Sequence, residues 1–329
     1  MILSIIISII VSFIATFLIV PKTIGYLRRI GIVVKDVHKS PVNKIPISGG
    51  LAVMSGLFLG LMTYIFIQTF FSANPGQLIW LLAAMTSILI ITLVGFVDDL
   101  LVRFDKKEQM YLGLKRWQKP LLVLPAAIPL IAVKAGVSEI FVPLIGVVNL
   151  AYLYPLILVP IGLVGAANMV NLLEGLNGLG TGMGIIYTFS LGIFAYVNKV
   201  PEAAALSLIT CGALIAFFWF NKVPARILPG DSLTYLLGAV IACVAIIGNV
   251  EKAALIISIP FFIEFFLKLR GRFKKETIGY VKKDKLYSKY KKVYSIPHIF
   301  MRTGKFTEKQ IVWYIILIES VFALAIWFI

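Results

Sequence analysis

Long apolar runs without a charged side chain dominate this sequence and limit what it can fold into. From Ser48 to Val97 there is no Asp, Glu, Lys or Arg. A membrane-spanning helix needs about 20 apolar residues to cross a hydrocarbon layer about 30 Å thick. The run is therefore long enough for two passes, and Asn74-Pro75-Gly76 is typical of the turn between them.

The same reasoning along the whole chain predicts an all-α polytopic membrane protein. The composition is 60% hydrophobic and 14% charged, whereas a water-soluble protein is about half apolar and a quarter charged. The runs lack the alternation of barrel strands, and a helix satisfies its own backbone groups in lipid. No fixed-period repeat divides the chain, so 1–329 is expected to form one transmembrane domain. The ten predicted helices cover residues 2–20, 48–71, 78–97, 119–135, 148–171, 182–197, 203–220, 231–247, 252–269 and 309–329.

Basic residues predict the orientation of these helices, because short cytoplasmic loops accumulate Lys and Arg. The gaps after odd-numbered helices hold 28 of the 31 basic residues, and the gaps after even-numbered helices hold 3. No small-residue cleavage site precedes Pro21, so the first helix is expected to be retained. Both termini are therefore predicted to be extracytoplasmic, with the basic gaps on the cytoplasmic face.

The largest basic cluster lies near the end of the chain. Fourteen of the Lys and Arg residues fall between Lys268 and Lys309, in a predicted basic cytoplasmic loop at 270–308. Such juxtamembrane segments bind anionic lipid headgroups, which we expect as partners. The net charge of +16 flanks apolar spans and accompanies no soluble nucleic-acid-binding module, so nucleic acid is not an expected partner.

Two adjacent acids end the third predicted helix. Asp98 and Asp99 follow Gly95-Phe96-Val97 directly. Burying one carboxylate is costly, and burying two requires a cation or a proton. The pair predicts a metal or acid–base site, and the competing interpretation is a pair of water-exposed carboxylates beside lysines.

A segment rich in amides and glycine follows the fifth predicted helix. Asn168 and Asn171 are three residues apart and share a helix face. The turn that includes Gly175 and Asn177 lets backbone approach a ligand closely and present N–H groups to it. The alternative is a helix-packing segment, since small residues are common between membrane helices.

Two later motifs carry further candidates. Asp231 opens the eighth predicted helix, where capping alone would justify an acid. Yet it shares the predicted cytoplasmic face with Asp98 and Asn171, and oxygen ligands converging on one face suit Mg²⁺. His298 and Arg302 stand together in the last loop, whereas His38 is expected to be an ordinary polar surface residue.

Together these segments resemble the polyprenyl-phosphate N-acetylhexosamine-1-phosphate transferase family, the membrane enzymes that begin lipid-linked oligosaccharide and peptidoglycan synthesis. The NxxN…GxNGL form and the single histidine resemble the archaeal and eukaryotic branch. The resemblance implies ten helices with both termini outside, in agreement with the distribution of basic residues. It rests on five segments in the family's order, GFVDD, WQKPLLVLP, NMVNLLEGLNGL, PGDSLTYLLG and PHIFMR.

The resemblance also implies a chemistry and roles for named residues. A lipid phosphate attacks the β-phosphate of UDP-GlcNAc and UMP leaves, with Mg²⁺ as cofactor and Mn²⁺ as an alternative. Asn171 and Asp231 would hold the metal, Lys119 would contact phosphate, and Asp98 or Asp99 would act on the lipid phosphate. The implied substrate contacts are Asp36, Val37, Asn168, Gly175 and Asn177 around the nucleotide, and His298 and Arg302 at the diphosphate and sugar.

Other functions were weighed against this one. Within the family, the alternative is a bacterial-type enzyme that transfers another UDP-amino sugar phosphate to undecaprenyl phosphate. A secondary transporter is a more distant alternative, because its polar residues would gather at the bilayer centre. The Lys- and Ile-rich composition favours an archaeal plasma membrane, with the endoplasmic reticulum as the location in a eukaryote. The sequence leaves a homodimer open, and gives no motif to the intramembrane acids Glu264 and Glu319.

Overall fold

A computed structural model describes residues 2–38, 44–72, 78–105, 110–115, 117–142 and 146–329. Within these ranges the chain is mostly helical, with eight helices long and apolar enough to cross a membrane. This confirms an all-α polytopic membrane protein; the orientation of its termini stays a prediction. Seven of the eight are α1 Ile2–Arg29, α2 Gly50–Phe71, α3 Leu78–Leu101, α7 Leu179–Val197, α8 Pro201–Asn221, α9 Gly230–Gly248 and α13 Glu308–Ala325, the last extended by a 3₁₀ turn. The eighth joins a π-helical turn, Tyr154–Leu158, to α6, Val159–Leu173.

The other two predicted spans differ from the expectation. The fourth is a shorter apolar segment made of α4 Gln118–Val123, a 3₁₀ turn Leu124–Ala127 and α5 Ile128–Ala132. The ninth is divided into α10 Glu251–Ile257 and α11 Ile259–Arg270. Proline explains both interruptions, because it lacks an N–H and clashes with the preceding turn; Pro125 stands in the 3₁₀ turn and Pro260 in the first turn of α11.

Three helix boundaries also differ from the predictions. The first helix does not end before Pro21 but continues to Arg29, as membrane helices tolerate proline when neighbouring groups satisfy the freed carbonyl. The fifth predicted helix does not begin at 148, because residues Gly146–Asn149 form a strand rich in valine. The sixth begins earlier than expected, at Leu179, directly after Gly178.

Short hairpins connect several helices, and the sequence analysis predicted none of them. Each is an antiparallel two-stranded ribbon. Their strands are β1 Val33–Lys35 with β2 Lys44–Pro46, β3 Arg103–Asp105 with β4 Met110–Leu112, β5 Glu139–Val142 with β6 Gly146–Asn149, and β7 Tyr280–Lys282 with β8 Lys285–Tyr287. The last hairpin lies in the basic segment between α11 and α12, which spans Ile296–Met301.

The centre of the molecule is α9. About 94% of the residues in the apolar stretch of α9 are buried inside the protein, whereas 28% are buried in the corresponding stretch of α1, at the periphery. It packs against α3, α6 and α8. A Cβ at Gly95 of α3 would collide with the backbone carbonyl of Asp231, at the start of α9. Glycine at this position therefore lets α3 and α9 meet closely beside Asp98, Asp99 and Asp231.

Candidate active site

Three charged side chains from α3, α4 and α9 meet at the end of α3. Lys119 Nζ lies 2.5 Å from Asp98 Oδ2 and 2.6 Å from Asp231 Oδ2. The other oxygen of Asp98 accepts the Leu114 N–H at 2.5 Å. Asp98 is buried, whereas Lys119 and Asp231 each keep about 24% of their side chains exposed. We call these residues, together with Asp99, the acid–lysine cluster. Its solvent-exposed surface is formed by Lys119 and Asp231.

Asp99 uses its carboxylate differently from its neighbour. Its Oδ1 accepts the Asp231 N–H at 2.8 Å, and its Oδ2 accepts the Ser232 N–H at 3.2 Å. The first N–H groups of a helix have no partner within the helix and carry its positive dipole end, so a carboxylate there is stabilising. Gly230, at φ +70, leaves room for this contact, because a Cβ would collide with the Asp99 carboxylate. Asp99 therefore fixes the first turn of α9, which carries Asp231.

Of the two predicted asparagines, one joins the acid–lysine cluster. The Asn171 side chain lies beside the Asp231 carboxylate and close to Tyr235. The Asn168 amide nitrogen instead donates to the Val164 carbonyl of its own helix, at 2.8 Å. Asn171 thus lies beside Asp231, as the predicted metal pair requires. The amide nitrogen of Asn168 is used within α6 itself.

A second group of polar residues lies where four segments meet. Asn177 Nδ2 donates to Asp36 Oδ2 at 3.0 Å, and the Asn177 N–H donates to Glu308 Oε1 at 2.9 Å. His38 Nδ1 lies 3.0 Å from the same Glu308 oxygen, and its Nε2 accepts the Gly279 N–H at 3.3 Å. We call these side chains the junction cluster. It joins the loop after α1, the glycine turn before α7, the last hairpin and the start of α13.

The junction cluster bears on two sequence predictions, the exposure of His38 and the nucleotide contacts in the loop after α1. His38 is buried, so its assignment as an ordinary surface residue was wrong. The sequence could not reveal its partner, because Glu308 lies 270 residues away along the chain. Val37, between Asp36 and His38, is exposed, and is the member of this stretch whose side chain is open to a ligand.

His298 lies within α12, in the segment Gly271–Thr307 that we call the histidine loop. Its side chain is fully buried, its Nδ1 accepts the Tyr294 N–H at 3.3 Å, and its ring lies 5.4 Å from that of Tyr290. Burial, together with the nearby charge of Lys268, lowers the pKa of His298 to about 4. The imidazole is therefore neutral near pH 7, and Arg302, one turn on, is the exposed cation of the pair.

No hydrogen bond or ion pair between described residues joins His298 or Arg302 to the acid–lysine cluster. The glycine turn connects the regions instead. Asn171 contacts Asp231, Asn177 belongs to the junction cluster, and Gly175 lies against Thr277 of the histidine loop. The NMVNLLEGLNGL segment thus touches all three groups of polar residues.

Comparison with known proteins identifies this arrangement. Residues 80–249, which include Asp98, Lys119, Asn171 and Asp231, match the model of Glycosyl transferase family 4. A protein of Sulfolobus acidocaldarius is 33% identical over 92% of this chain and 88% of its own length. The chain belongs to Glycosyl transferase family 4.

The relatives of this family-4 protein have names that describe two activities. The Sulfolobus acidocaldarius protein and one of Saccharolobus solfataricus, 33% identical over 88% of this chain and 85% of its own length, are provisionally named UDP-N-acetylglucosamine–dolichyl-phosphate N-acetylglucosaminephosphotransferase. A Lactobacillus gasseri protein, 30% identical over 93% of this chain and 94% of its own length, is named phospho-N-acetylmuramoyl-pentapeptide-transferase. These findings confirm the resemblance drawn from the five motifs.

One acid of the family-4 site was missed by the sequence analysis. Glu174 Oε2 accepts the Gly180 N–H at 3.1 Å, across the glycine turn. Burial raises the pKa of Glu174 to about 7, and the charges of Asp231 and Glu308 act in the same direction. Glu174 therefore lies between the acid–lysine cluster and the junction cluster. An acid inside an otherwise uncharged amide- and glycine-rich motif was the signal that could have identified it.

The acid–lysine cluster has a donor set that suits a magnesium ion. Two carboxylates, those of Asp98 and Asp231, contact the Lys119 ammonium group, and the Asp99 carboxylate lies against the first turn of α9. The cluster therefore carries excess negative charge when all three acids are ionised. Mg²⁺ prefers oxygen ligands and is commonly bound by one or two carboxylates plus substrate phosphates. Among the described residues, no group of three or more His, Cys, Asp and Glu side chains forms a complete protein-only metal site. The chemistry fits an ion shared with a substrate.

An apolar groove of about 450 Å³ lies beside α6. It is lined by α6, α9, α10 and α11, and by the turn that begins at Tyr154. The lining includes Met169 and Val170, directly before Asn171 in the chain, and the hydrogen-bonded pair Tyr154 and Glu251. The residues of the acid–lysine cluster do not line this groove.

Proposed function

We propose that this protein transfers N-acetylglucosamine 1-phosphate from UDP-GlcNAc to dolichyl or another polyprenyl phosphate, forming a polyprenyl-diphospho-sugar and releasing UMP. This would be the first step of lipid-linked oligosaccharide synthesis for protein N-glycosylation. The observation that carries the proposal is Lys119 held between Asp98 and Asp231, with Asn171 beside Asp231. The names of the Sulfolobus and Saccharolobus relatives support the choice of substrates.

The proposed reaction is an in-line phosphoryl transfer. An oxygen of the lipid phosphate forms a bond to the β-phosphorus of UDP-GlcNAc, and the bridging oxygen leaves with UMP. Enzymes accelerate such a transfer mainly by positioning the groups and neutralising their charge. Lys119 is the residue we assign to this neutralisation, because its ammonium group is partly exposed and already lies between two carboxylates.

The two adjacent acids receive different roles. Both oxygens of Asp99 accept backbone N–H groups of α9, so we assign it to positioning Asp231. Asp98 contacts the Lys119 ammonium directly, so it is the acid we assign to orienting the lipid phosphate and accepting its proton. A general base must lie within hydrogen-bond reach of the proton it removes. Asp98 suits this role better than Asp99, because one of its oxygens faces the Lys119 ammonium group and not a backbone N–H.

Magnesium is the cofactor we propose, with Mn²⁺ as an alternative. Asp231 and Asn171 would hold it, since the Asn171 amide already contacts the Asp231 carboxylate. When bound, the ion neutralises the diphosphate charge and helps to orient it. Asp98 and Lys119 then remain the protein groups that we assign to the lipid phosphate and the diphosphate.

The nucleotide would lie along the glycine turn. Gly175, Asn177, Asp36 and Val37 are the proposed contacts, and the Asp36–Asn177 hydrogen bond holds two of them in place. Asn168 remains a proposed substrate contact through its free amide oxygen. His298 would act as a neutral hydrogen-bonding group near the sugar, and Arg302 would supply positive charge to the diphosphate.

We propose that this site lies on the cytoplasmic face of an archaeal plasma membrane, in a chain with both termini outside. The distribution of basic residues supports the orientation, and the Lys- and Ile-rich composition supports the choice of membrane. Anionic lipids are the proposed partners of the basic loop. The serious second function is transfer of a different UDP-amino sugar phosphate to undecaprenyl phosphate, because the Lactobacillus gasseri relative covers nearly the whole chain. Polar residues gather at helix ends here, which argues against a transporter with a midplane site.

The decisive experiment measures UMP release. Purified protein with Mg²⁺, UDP-GlcNAc and dolichyl phosphate is expected to release UMP and to form a lipid-linked sugar diphosphate. A matched panel pairs UDP-GlcNAc and UDP-N-acetylmuramoyl-pentapeptide with dolichyl and undecaprenyl phosphate. Faster turnover of the muramoyl donor would replace the first function with the second, and no UMP from any UDP-sugar would refute both.

A further inference from the structure

A buried ion pair on α11 has no role in the proposed reaction. Glu264 and Lys268 are one helical turn apart, with Lys268 Nζ 3.5 Å from Glu264 Oε1, and both side chains are buried. A buried ion pair is costly unless further hydrogen bonds satisfy its atoms. Ionisable residues within membrane helices usually serve a function for this reason. The partners of the pair indicate what that function is.

Glu264 holds the start of the helix that carries His298. Its Oε2 accepts the Ile296 N–H at 2.8 Å, in a buried contact. Ile296 is the first residue of α12, and Ser295 before it makes no side-chain cap. Glu264, on α11, therefore caps the first turn of α12. His298 lies only two residues beyond this hydrogen bond.

Lys268 holds the opposite end of the histidine loop. Its Nζ donates to Thr277 Oγ1 at 2.7 Å and to the Lys275 carbonyl at 3.0 Å. Thr277 Oγ1 in turn donates to the Leu172 carbonyl of α6 at 3.4 Å, and its side chain lies against Gly175. Lys268 thus connects the histidine loop to the glycine turn assigned to the nucleotide.

We propose that Glu264 and Lys268 are positioning residues that clamp the histidine loop onto the glycine turn, so that His298 and Arg302 are held at the sugar nucleotide. One side chain fixes the beginning of α12 and the other fixes Thr277, while their mutual attraction keeps both in place. This inference rests on the proposed transferase function, and assigns the two residues to the donor substrate. It does not assign them to the lipid phosphate.

The test compares Glu264→Leu with Glu319→Leu. Glu319 is an equally buried acid of α13, and its two carboxylate oxygens have no hydrogen-bond partner among the described residues. Two properties are measured, the rate of tryptic cleavage within the Lys- and Arg-rich histidine loop and the KM for each substrate. Neither residue has been placed in contact with substrate, so both variants should retain the acid–lysine cluster.

The expected result is selective. Glu264→Leu should raise the cleavage rate and the KM for UDP-GlcNAc by about tenfold each, the size expected for losing a hydrogen bond to a charged group. The KM for dolichyl phosphate should not change, and Glu319→Leu should match the wild type in all three measurements. Glu264→Gln should recover most of the loss, because its amide oxygen can still accept the Ile296 N–H. A Glu264→Leu protein indistinguishable from Glu319→Leu would overturn the proposal.

Two precautions keep the test decisive. If Glu264→Leu fails to accumulate, Lys268→Met replaces it, since it leaves the Glu264–Ile296 bond intact and removes the contact with Thr277. Unchanged cleavage and unchanged donor KM in Lys268→Met would then overturn the proposal. The protease measurement requires no enzymatic activity. A wild-type protein that releases no UMP would therefore refute the proposed function, while the cleavage rates would still decide whether the pair clamps the loop.

Discussion

The acid–lysine cluster and the histidine loop hold their polar side chains by opposite means. In the cluster, charged groups from three helices contact one another directly, and Lys119 lies within 2.6 Å of two carboxylates. In the loop, a neutral imidazole is enclosed by aromatic rings and backbone groups. Its nearest ion pair, Glu264 and Lys268, contacts the backbone around it. The cluster brings opposite charges into direct contact, whereas the loop buries an uncharged ring.

This difference teaches which region can carry the chemistry. A phosphoryl transfer develops charge that fixed, partly exposed groups must neutralise. The acid–lysine cluster has such groups on rigid helices, whereas α12 and the residue after it offer a buried hydrogen-bonding group, His298, and an exposed cation, Arg302. We therefore expect substitutions in the cluster to reduce turnover, and substitutions in the loop to change donor binding.

The largest effect should come from Asp231. Asp231→Asn removes the charge that Lys119 and the proposed metal share, and should reduce the rate of UMP release by about 10³-fold, as expected for loss of one strong electrostatic contact to the transition state. The Tm in detergent should stay near that of the wild type, because the amide keeps the shape of the side chain. Residual activity above a tenth of the wild-type rate would remove Asp231 from the proposed centre.

The next comparison separates the two adjacent acids. Asp98→Asn should reduce turnover by about 10²-fold with little change in Tm, since general acid–base groups typically contribute 10² to 10⁴. Asp99→Asn should lower the Tm as well as activity, because one amide cannot accept both N–H groups of α9. Loss of such a buried partner costs about 1–3 kcal/mol. Equal Tm values for the two variants would contradict the division of roles.

The smallest effect should be the pH response of the histidine loop. The folded pKa of His298 is about 4, against 6.5 for an ordinary histidine, so the unfolded loop binds a proton more readily than the folded one. The stability gained by burying the neutral ring is fully present above about pH 6.5 and is lost as the pH falls through 4. Amide hydrogen exchange in α12, corrected for intrinsic rates, should therefore accelerate as the pH falls across this window.

The matched control for this response is His298→Gln, whose side chain does not titrate. Its corrected exchange rates should vary less with pH than those of the wild type. Equal pH dependence in the two proteins would show that another group controls the loop. The rate of UMP release should show no step near pH 6.5 that depends on His298, because the imidazole is already neutral there.

Most residues of the site could be predicted from the sequence, but few of the contacts between them could. Asp98, Lys119, Asn171 and Asp231 were identified from separate motifs, and the structure brings all four together. Residue type and placement at helix ends were sufficient for Asp98, Asn171 and Asp231, whereas Lys119 was identified only through the resemblance of its segment to the family. The eight long spans could also be predicted, because charge-free runs of about 20 residues have few alternatives.

Other features depend on contacts that no local pattern encodes. The role of Asp99 requires α3 to approach α9 through Gly95, and the burial of His38 requires Glu308 from the far end of the chain. The burial of His298 depends on how Tyr290, Tyr294 and α11 enclose it. Each case combines residues distant in sequence, so a single side chain gave no indication of its partner.

The hydrogen bonds that Asp99 accepts from the first turn of α9 also make the geometry of the acid–lysine cluster depend on the helical register of α3. Successive residues of an α-helix point about 100° apart, so Asp98 and Asp99 face different neighbours although one peptide bond joins them. An insertion of one residue between Gly95 and Asp98 would rotate both acids by about 100°. Asp98 would then point where Asp99 now points, and Asp99 would turn away from the first turn of α9. Engineering of substrate range in this protein should therefore leave the length of α3 untouched and work through the loops.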